Sequence, residues 1–282
     1  MNKPLNDYQF PLSTTTPKVV VVLLDAKLTN PNGDPNDGGV PRLLDVLDRG
    51  HITNGALKRK LRDYLLLTVE GEKHYVHPGR DLGDVQAEHD TAEDMTKSLR
   101  DLRYFGGLLT QKKDSKVRGP FVFEDAISRH PLNIMEIGLT RVAHHKDEAG
   151  KEGSNMGSRS VVEYGLYQFV IHFDPLAARK VGVSEADMDL FWEALFECWE
   201  YTRSATRPAL NLRRVYCFDY PRRRGGIPQH EVTSWVKVDS TVPDDEYPTS
   251  FSDYTISVDT SNMPEGMTLH SWEDGVTTVA GK

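Results

Sequence analysis

A valine-rich apolar run over residues 19–24 breaks at Asn30-Pro-Asn-Gly-Asp-Pro35, and an amphipathic helix opens soon after at Thr53/Asn54. An apolar run of that length reads as a buried strand. Residues 30–41 must be loop, because Pro, Asn, Gly and Asp in succession favour turn conformations over a ladder. In the helix, Leu57, Leu61, Tyr64 and Leu65 recur at i, i+4, i+7 and i+8, one core-facing stripe. The same helix carries Lys58, Arg59, Lys60 and Arg62, and residues 51–62 hold no acid. Lys58 and Arg62 are i, i+4 neighbours off the apolar stripe, with Arg59 beside them. A loop rich in backbone N–H donors next to such a helix suits a phosphate backbone. The competing reading is a solvated cationic face.

The remaining pattern alternates between the two periodicities. Residues 1–16 are polar and read as a loose lead-in. Strands are expected over 18–28, 121–123, 134–142, 161–173, 212–220, 231–238 and 254–258. A helix is expected over 91–102, and a second over the stretch that Ser184 caps, with Met188, Phe191, Leu195, Cys198 and Trp199 as its apolar stripe. Residues 143–160 are polar and glycine-containing between strand-like segments, the pattern of a projecting hairpin. Strand, helix, strands, helix, strand suggests a ferredoxin-like βαββαβ core with insertions in its loops.

Composition sets outer limits. With 282 residues, 38% hydrophobic, the chain can bury a substantial core. No apolar run approaches the ~20 residues of a membrane span, and the first residues lack a signal-peptide pattern. Cys198 and Cys217 have no Cys or His at ligand spacing, so neither a disulfide framework nor a zinc site is expected and the cytoplasm is the natural compartment. The net charge of -8 argues against a protein that coats nucleic acid over its whole surface. Charge is segregated, however. Acids concentrate in 81–101 and 239–253, whereas 213–224 holds five arginines and the single acid Asp219. A local groove can stay positive under a negative total.

Further segments follow in order: Pro41-Arg42, Arg118-Gly-Pro, Ile137-Gly-Leu-Thr-Arg-Val142, Met156-Gly, Tyr164-Gly-Leu-Tyr167, the block 182–195, Arg203-Ser-Ala and Pro264-Glu-Gly-Met-Thr-Leu-His270. With the loop and the basic helix, this series resembles the crRNA-binding backbone subunit of type I CRISPR surveillance complexes (Cascade), closest to the subtype I-C form, over residues 19–270. The resemblance implies an α+β fold: a single RNA-recognition-motif-like domain over 1–282, with a helical finger-like insertion over 70–117 and a thumb hairpin over 143–160. It implies CRISPR RNA as ligand, target DNA engaged through guide pairing, and head-to-tail copies of the chain and other Cascade subunits as partners. No membrane, cofactor, metal or catalytic activity is expected.

The resemblance also implies site residues. Lys58, Arg59 and Arg62 match the basic first helix whose cations grip guide phosphates, and Asn32 lies in the loop beside it. Asn54 is open between phosphate contact and helix capping, and Arg42 between RNA and Asp45. Arg118, Arg141, Arg159, Arg203 and Arg213 are further RNA candidates, with Arg207 following the second helix. In each of the pairs and triplets Arg213-Arg214 and Arg222-Arg-Arg224, one arginine is expected to face a groove and the others to pair with acids. Met156 is the candidate wedge between nucleotides, against the alternative of a gap-filling core methionine. Here the chain reads Met156-Gly-Ser-Arg159 where the family has Met-Gly-Arg-Lys. In type III relatives an aspartate in the loop after the first strand cuts RNA, which makes Asp34 the residue of the alternative reading, a metal-dependent endoribonuclease. No metal-ligand cluster near it in sequence completes such a site. His144-His145 are expected in solvent, and Tyr164, Tyr167, Phe169 and Phe173 in the core. A ferredoxin-like structural protein with no nucleic-acid role is the third reading.

Overall fold

The computed structural model describes residues 8–44, 47–113, 116–140, 156–222, 226–243 and 246–281, with backbone alone at 139, 140 and 156. In chain order, β1 (Lys18–Thr29), β2 (Leu43–Leu44) and β3 (Arg49–Ile52) precede α1 (Asn54–Thr68). An insertion follows, with α2 (Leu82–Ala87), α3 (Ala92–Ser98), α4 (Arg100–Phe105), β4 (Gly107–Leu108) and β5 (Lys116–Val117). Then come β6 (Phe121–Phe123), β7 (Ala126–Pro131), β8 (Ile134–Thr140), β9 (Met156–Phe173), α5 (Pro175–Val181) and α6 (Glu185–Tyr201). The last elements are β10 (Leu210–Asp219), α7 (Gln229–Ser234), β11 (Val236–Ser240), β12 (Tyr254–Val258), β13 (Thr268–Glu273) and β14 (Val276–Gly281). The result is a mixed α and β fold around one large antiparallel sheet, ordered β14-β13-β10-β1-β9-β7-β3-β2, with β6 and β8 also paired to β9.

β1 is central because both its faces are apolar. Val20, Val22 and Leu24 meet α1 and α6 on one face, where Leu57, Leu61, Phe191, Leu195 and Cys198 complete the main core. Val19, Val21 and Leu23 point the other way, onto a second core with Val232, Trp235, Val236 and Val238 from α7 and β11. Burying β-branched side chains on both faces of a strand is what an uninterrupted valine run encodes. The expected aromatic residues of β9 are all core: Tyr164, Tyr167, Phe169 and Phe173 are buried. Ser184 caps α6 through a reciprocal pair with Asp187, as its sequence signature requires. Among the described residues no helix is long and apolar enough to cross a membrane.

Three expectations are corrected. Residues 8–16 are packed rather than loose: Tyr8 stacks on Phe196 at 4.1 Å, Phe10 is fully buried, and Trp192 donates to the Pro11 carbonyl. The helix expected over 91–102 is two helices, broken where Leu99 turns extended to bury itself in the insertion. There it joins Tyr75, Val85, Met95, Leu102 and Leu109 in a small core of their own. The strand expected over 231–238 begins as helix α7, because Val232 and Trp235 reach the sheet only at helical spacing. The hairpin β13–β14 was not expected, although its Asp274-Gly275 turn has φ of 48° and 86°, the both-positive geometry that Asp-Gly supplies.

Most of the expected hairpin over 143–160, with Arg141 and the histidines 144–145, lies outside the described residues. β8 and β9 pair antiparallel as far as Thr140 with Met156. The buried cysteines 198 and 217 are free thiols, and burial pushes both thiol pKa values up.

Candidate nucleic-acid interface

The loop after β1 closes on itself through backbone contacts. Asp34 N donates to the Val40 carbonyl at 2.8 Å, and Gly39 N to the Asp34 carbonyl at 2.7 Å. Gly33 is required here, since a Cβ would lie 2.7 Å from the Gly39 oxygen. The Asp34 carboxylate is used inside the loop: Oδ1 accepts from Asn36 N at 2.9 Å, and Oδ2 pairs with Arg42 Nη1 at 3.3 Å. Arg42 thus has Asp34 as its partner. Among the described residues no three His, Cys, Asp or Glu side chains gather as a metal-ligating group.

Asn32 ties this loop to the helix. Its Oδ1 accepts from Thr53 N at 2.9 Å and from Thr53 Oγ1 at 3.0 Å. Thr53, not Asn54, is the N-cap of α1. Asn54 instead donates from its backbone and its side chain to Asp125 Oδ1 at 2.7 and 2.8 Å, while His51 Nε2 lies 2.7 Å from Asp125 Oδ2. Burial works to raise the Asp125 carboxyl, but the bonds from His51 and Asn54 outweigh it and hold the group below the usual carboxylate range. The helix N-terminus therefore already has an anion of its own. Asp125 lies 71 residues from Asn54, and no local signal pointed to it.

The helix separates its cations by face, which corrects the expectation of one cationic side. Arg62 is buried among the core-facing residues, its Nε donating to Asp101 Oδ2 at 2.8 Å. It holds the insertion to α1 and is not presented to a ligand. Lys58 lies on the same flank, donates to Asn54 Oδ1 at 3.2 Å, and sits 5.8 and 5.9 Å from the Phe105 and Phe123 rings. Burial lowers its pKa, and the charge of Arg62 adds to this. Arg59 points outward and pairs with Asp63 at 2.7 Å. Lys60 occupies the opposite flank and donates to the Thr202 carbonyl.

That opposite flank opens on a cleft of about 290 Å³, lined by Pro31, Arg59, Lys60, Thr202, Ser204 and Arg207 among others. Arg207 Nε donates to the Pro31 carbonyl at 3.1 Å, so the loop after α6 is pinned to the loop after β1. Arg159 Nη1 reaches the Ala205 carbonyl at 3.3 Å, which brings the start of β9 to the same place. Burial lowers the pKa of Lys60, and Arg207 acts in the same direction. An anion beside such half-desolvated lysines would favour their charged form.

The structure thus gathers Asn32, Arg42, Asn54, Lys58, Arg59, Arg159 and Arg203 around two loops and the start of α1. Arg203 pairs there with Glu200. Arg118 lies apart, 2.8 Å from Asp174. Arg213 lies on β10 against the second core, donating to the buried Asp25 at 2.7 Å and stacking over Phe251. Its neighbour Arg214 pairs with Asp274, so in this pair both arginines are held by acids and the expected groove-facing member is absent. Arg141 and the Met156 side chain lie outside what is described.

Residues 18–259 match the family described as CRISPR-associated protein Cas7. A CRISPR-associated protein Cas7 of Haloferax volcanii is 25% identical over 223 residues, 65% of this chain and 65% of that protein. The alignment therefore spans just under two thirds of that relative's length. A chain of a solved structure, "CRISPR RNA-guided surveillance complex, pre-nicking", superposes with a TM-score of 0.51 at 12% identity, covering 72% of this chain and 78% of the other. That likeness is one of fold. With the family match running from the first strand of the sheet to the end of β12, this chain belongs to the Cas7 family of CRISPR-associated proteins.

Proposed function

We propose that the protein is a non-catalytic CRISPR RNA-binding subunit that assembles head to tail along the guide as the backbone of a type I Cascade of subtype I-C, in the cytoplasm. It would leave guide bases free to pair with target DNA in antiviral defence. The observation that carries this reading is the junction locked by Asn32 and Arg207, which makes the loop after β1, the start of α1 and the loop after α6 one rigid cationic shelf. Phosphates on that shelf would fix a strand without base readout, leaving specificity to pairing. The order β10-β1-β9-β7, with α1 and α6 on one face, supports a ferredoxin-like, RNA-recognition-motif-like palm, and the small separate core of residues 75–109 supports a finger-like insertion. Residues 143–160 would form the thumb.

Replacing Lys58 and Arg59 together with Ala should leave the fold intact, since among the described residues Arg59 has only a partly exposed pair and Lys58 no ion pair. Each lost phosphate contact on a single strand removes about 0.7 of a released counterion. The slope of log K against log salt for guide RNA should therefore shrink by about 1.4. A slope equal to that of the wild type would remove this helix from the interface.

The endoribonuclease reading makes an opposite prediction. With Asp34 serving as the brace of its own loop, incubation with complementary RNA and Mg2+ or Mn2+ should leave the RNA whole. Cleavage by the wild type that vanishes in Asp34→Asn would replace the non-catalytic reading with that one.

A further inference from the structure

A second cationic surface lies on the other side of the insertion. A groove of about 950 Å³ runs between α3 and β5 on one wall and the turn from α5 into α6 on the other, lined by seven cations and two carboxylates. In a chain of net charge -8 this is a strong local reversal of sign. Three of the cations are committed: Lys97 to Glu93, Arg103 to Asp187 and Arg118 to Asp174. The other four, Lys113, Lys116, Arg179 and Lys180, are exposed and make no side-chain ion pair or hydrogen bond among the described residues.

Arg179 and Lys180 sit in the last turn of α5, where they complement the helix dipole. That role explains their sequence position but not the opposite wall. Lys113 and Lys116 come from a segment more than sixty residues away, and the fold sets them across the same groove. Cations facing one another over a concave, low-dielectric surface reinforce a single positive potential instead of dispersing it. The groove is also separate from the shelf at α1. On α4, Asp101 and Phe105 turn toward α1, while Arg103 lines the groove. No aromatic ring lines it among the described residues, and its apolar contribution is limited to Ala92, Val117 and Val181. A surface with many free cations and no stacking platform suits phosphates and not bases.

We infer that this groove binds the phosphate backbone of a second nucleic-acid strand, independently of base sequence and of the strand held at α1. The test uses the full chain and a fluorescently labelled oligothymidylate, with and without saturating guide-length RNA. The triple variant Lys116→Gln, Arg179→Gln, Lys180→Gln should bind the oligothymidylate at least tenfold more weakly at low salt, with a log–log salt slope reduced by about 2. Lys58→Ala with Arg59→Ala should keep that component, and saturating RNA should not compete it away. Because the Gln variant removes only exposed groups that make no side-chain ion pair or hydrogen bond among the described residues, its fold should persist. The charge-conserving set Lys116→Arg, Arg179→Lys, Lys180→Arg should bind as the wild type does, which separates charge from folding. Unchanged affinity and slope in the Gln variant would overturn the proposal. So would loss of self-association in sedimentation with oligothymidylate binding intact, an outcome that would assign the groove to an acidic face of a second copy. Competition by guide RNA to completion would overturn the claim of a separate strand.

Discussion

Arg62→Ala is expected to destabilise the protein by about 3–5 kcal/mol, although the residue sits in the most cationic stretch of the chain. Its guanidinium is buried, and so is the carboxylate it meets. Asp101 also accepts from Tyr75 N at 2.6 Å and Val76 N at 3.0 Å, so one carboxylate holds the entry to the insertion, α4 and α1 together. Truncating Arg62 leaves that charge buried with two backbone donors and no cation. It also removes the stacking of the guanidinium 5.1 Å from the Phe105 ring. Urea unfolding measures the loss. Asp101→Ala should cost as much, and the double variant should cost far less than the sum, because both single changes break one interaction. A loss below about 1 kcal/mol for Arg62→Ala would show that the pair is not a clamp.

Asp187→Ala should have an effect of similar size, about 3–5 kcal/mol, with a pH signature of its own. Its Oδ1 accepts from Arg100 Nη1 at 2.8 Å and Arg103 Nη2 at 2.9 Å. Its Oδ2 accepts from Ser184 N at 3.0 Å and Ser184 Oγ at 2.9 Å, closing the capping box of α6. Burial acts to raise this carboxyl, but Arg103 and Ser184 outweigh it and hold its pKa below the usual range. A group whose pKa is lower in the folded state binds fewer protons there than in the unfolded chain, so it stabilises at higher pH. The contribution is complete above the unfolded value of about 3.9 and is lost as pH falls through the folded value. Urea midpoints of wild type and Asp187→Ala should therefore differ most above about pH 5 and draw together as pH falls below the unfolded value of about 3.9. A difference that stays constant across that range would exclude an electrostatic role.

Both residues mark where local pattern stopped being informative. On the helix of Arg62, the spacing of Leu57, Leu61, Tyr64 and Leu65 located the core stripe, because burial of that stripe is periodic along the chain. Arg62 borders the stripe, and whether a bordering cation faces water or an acid depends on what packs there. Here it is Asp101, thirty-nine residues on, within an insertion whose own core turns α4 toward α1. Asp125 at the start of α1 is the same case. Arg213 likewise lay in an arginine-rich stretch, yet Asp25 claims it from the neighbouring strand.

Elements driven by short-range physics were legible. The valine run gave the central strand, Ser184 announced the start of α6, and the turn residues at 30–41 announced the loop that Gly33 lets close. Leu99, Val232 and Trp235 were misread because their conformations answer to a core that other segments complete. The Asp274-Gly275 turn shows the converse, a local signal strong enough to have been read. By itself the sequence determined the central strand, the two long helices, the closed loop and the family of the chain. Each of these depends on side chains a few residues apart, or on ordered motifs. Only the tertiary structure decided which cations are free and which are clamps, because a charge is neutralised by whatever the fold brings within hydrogen-bonding distance, and those acids lie tens to nearly two hundred residues away.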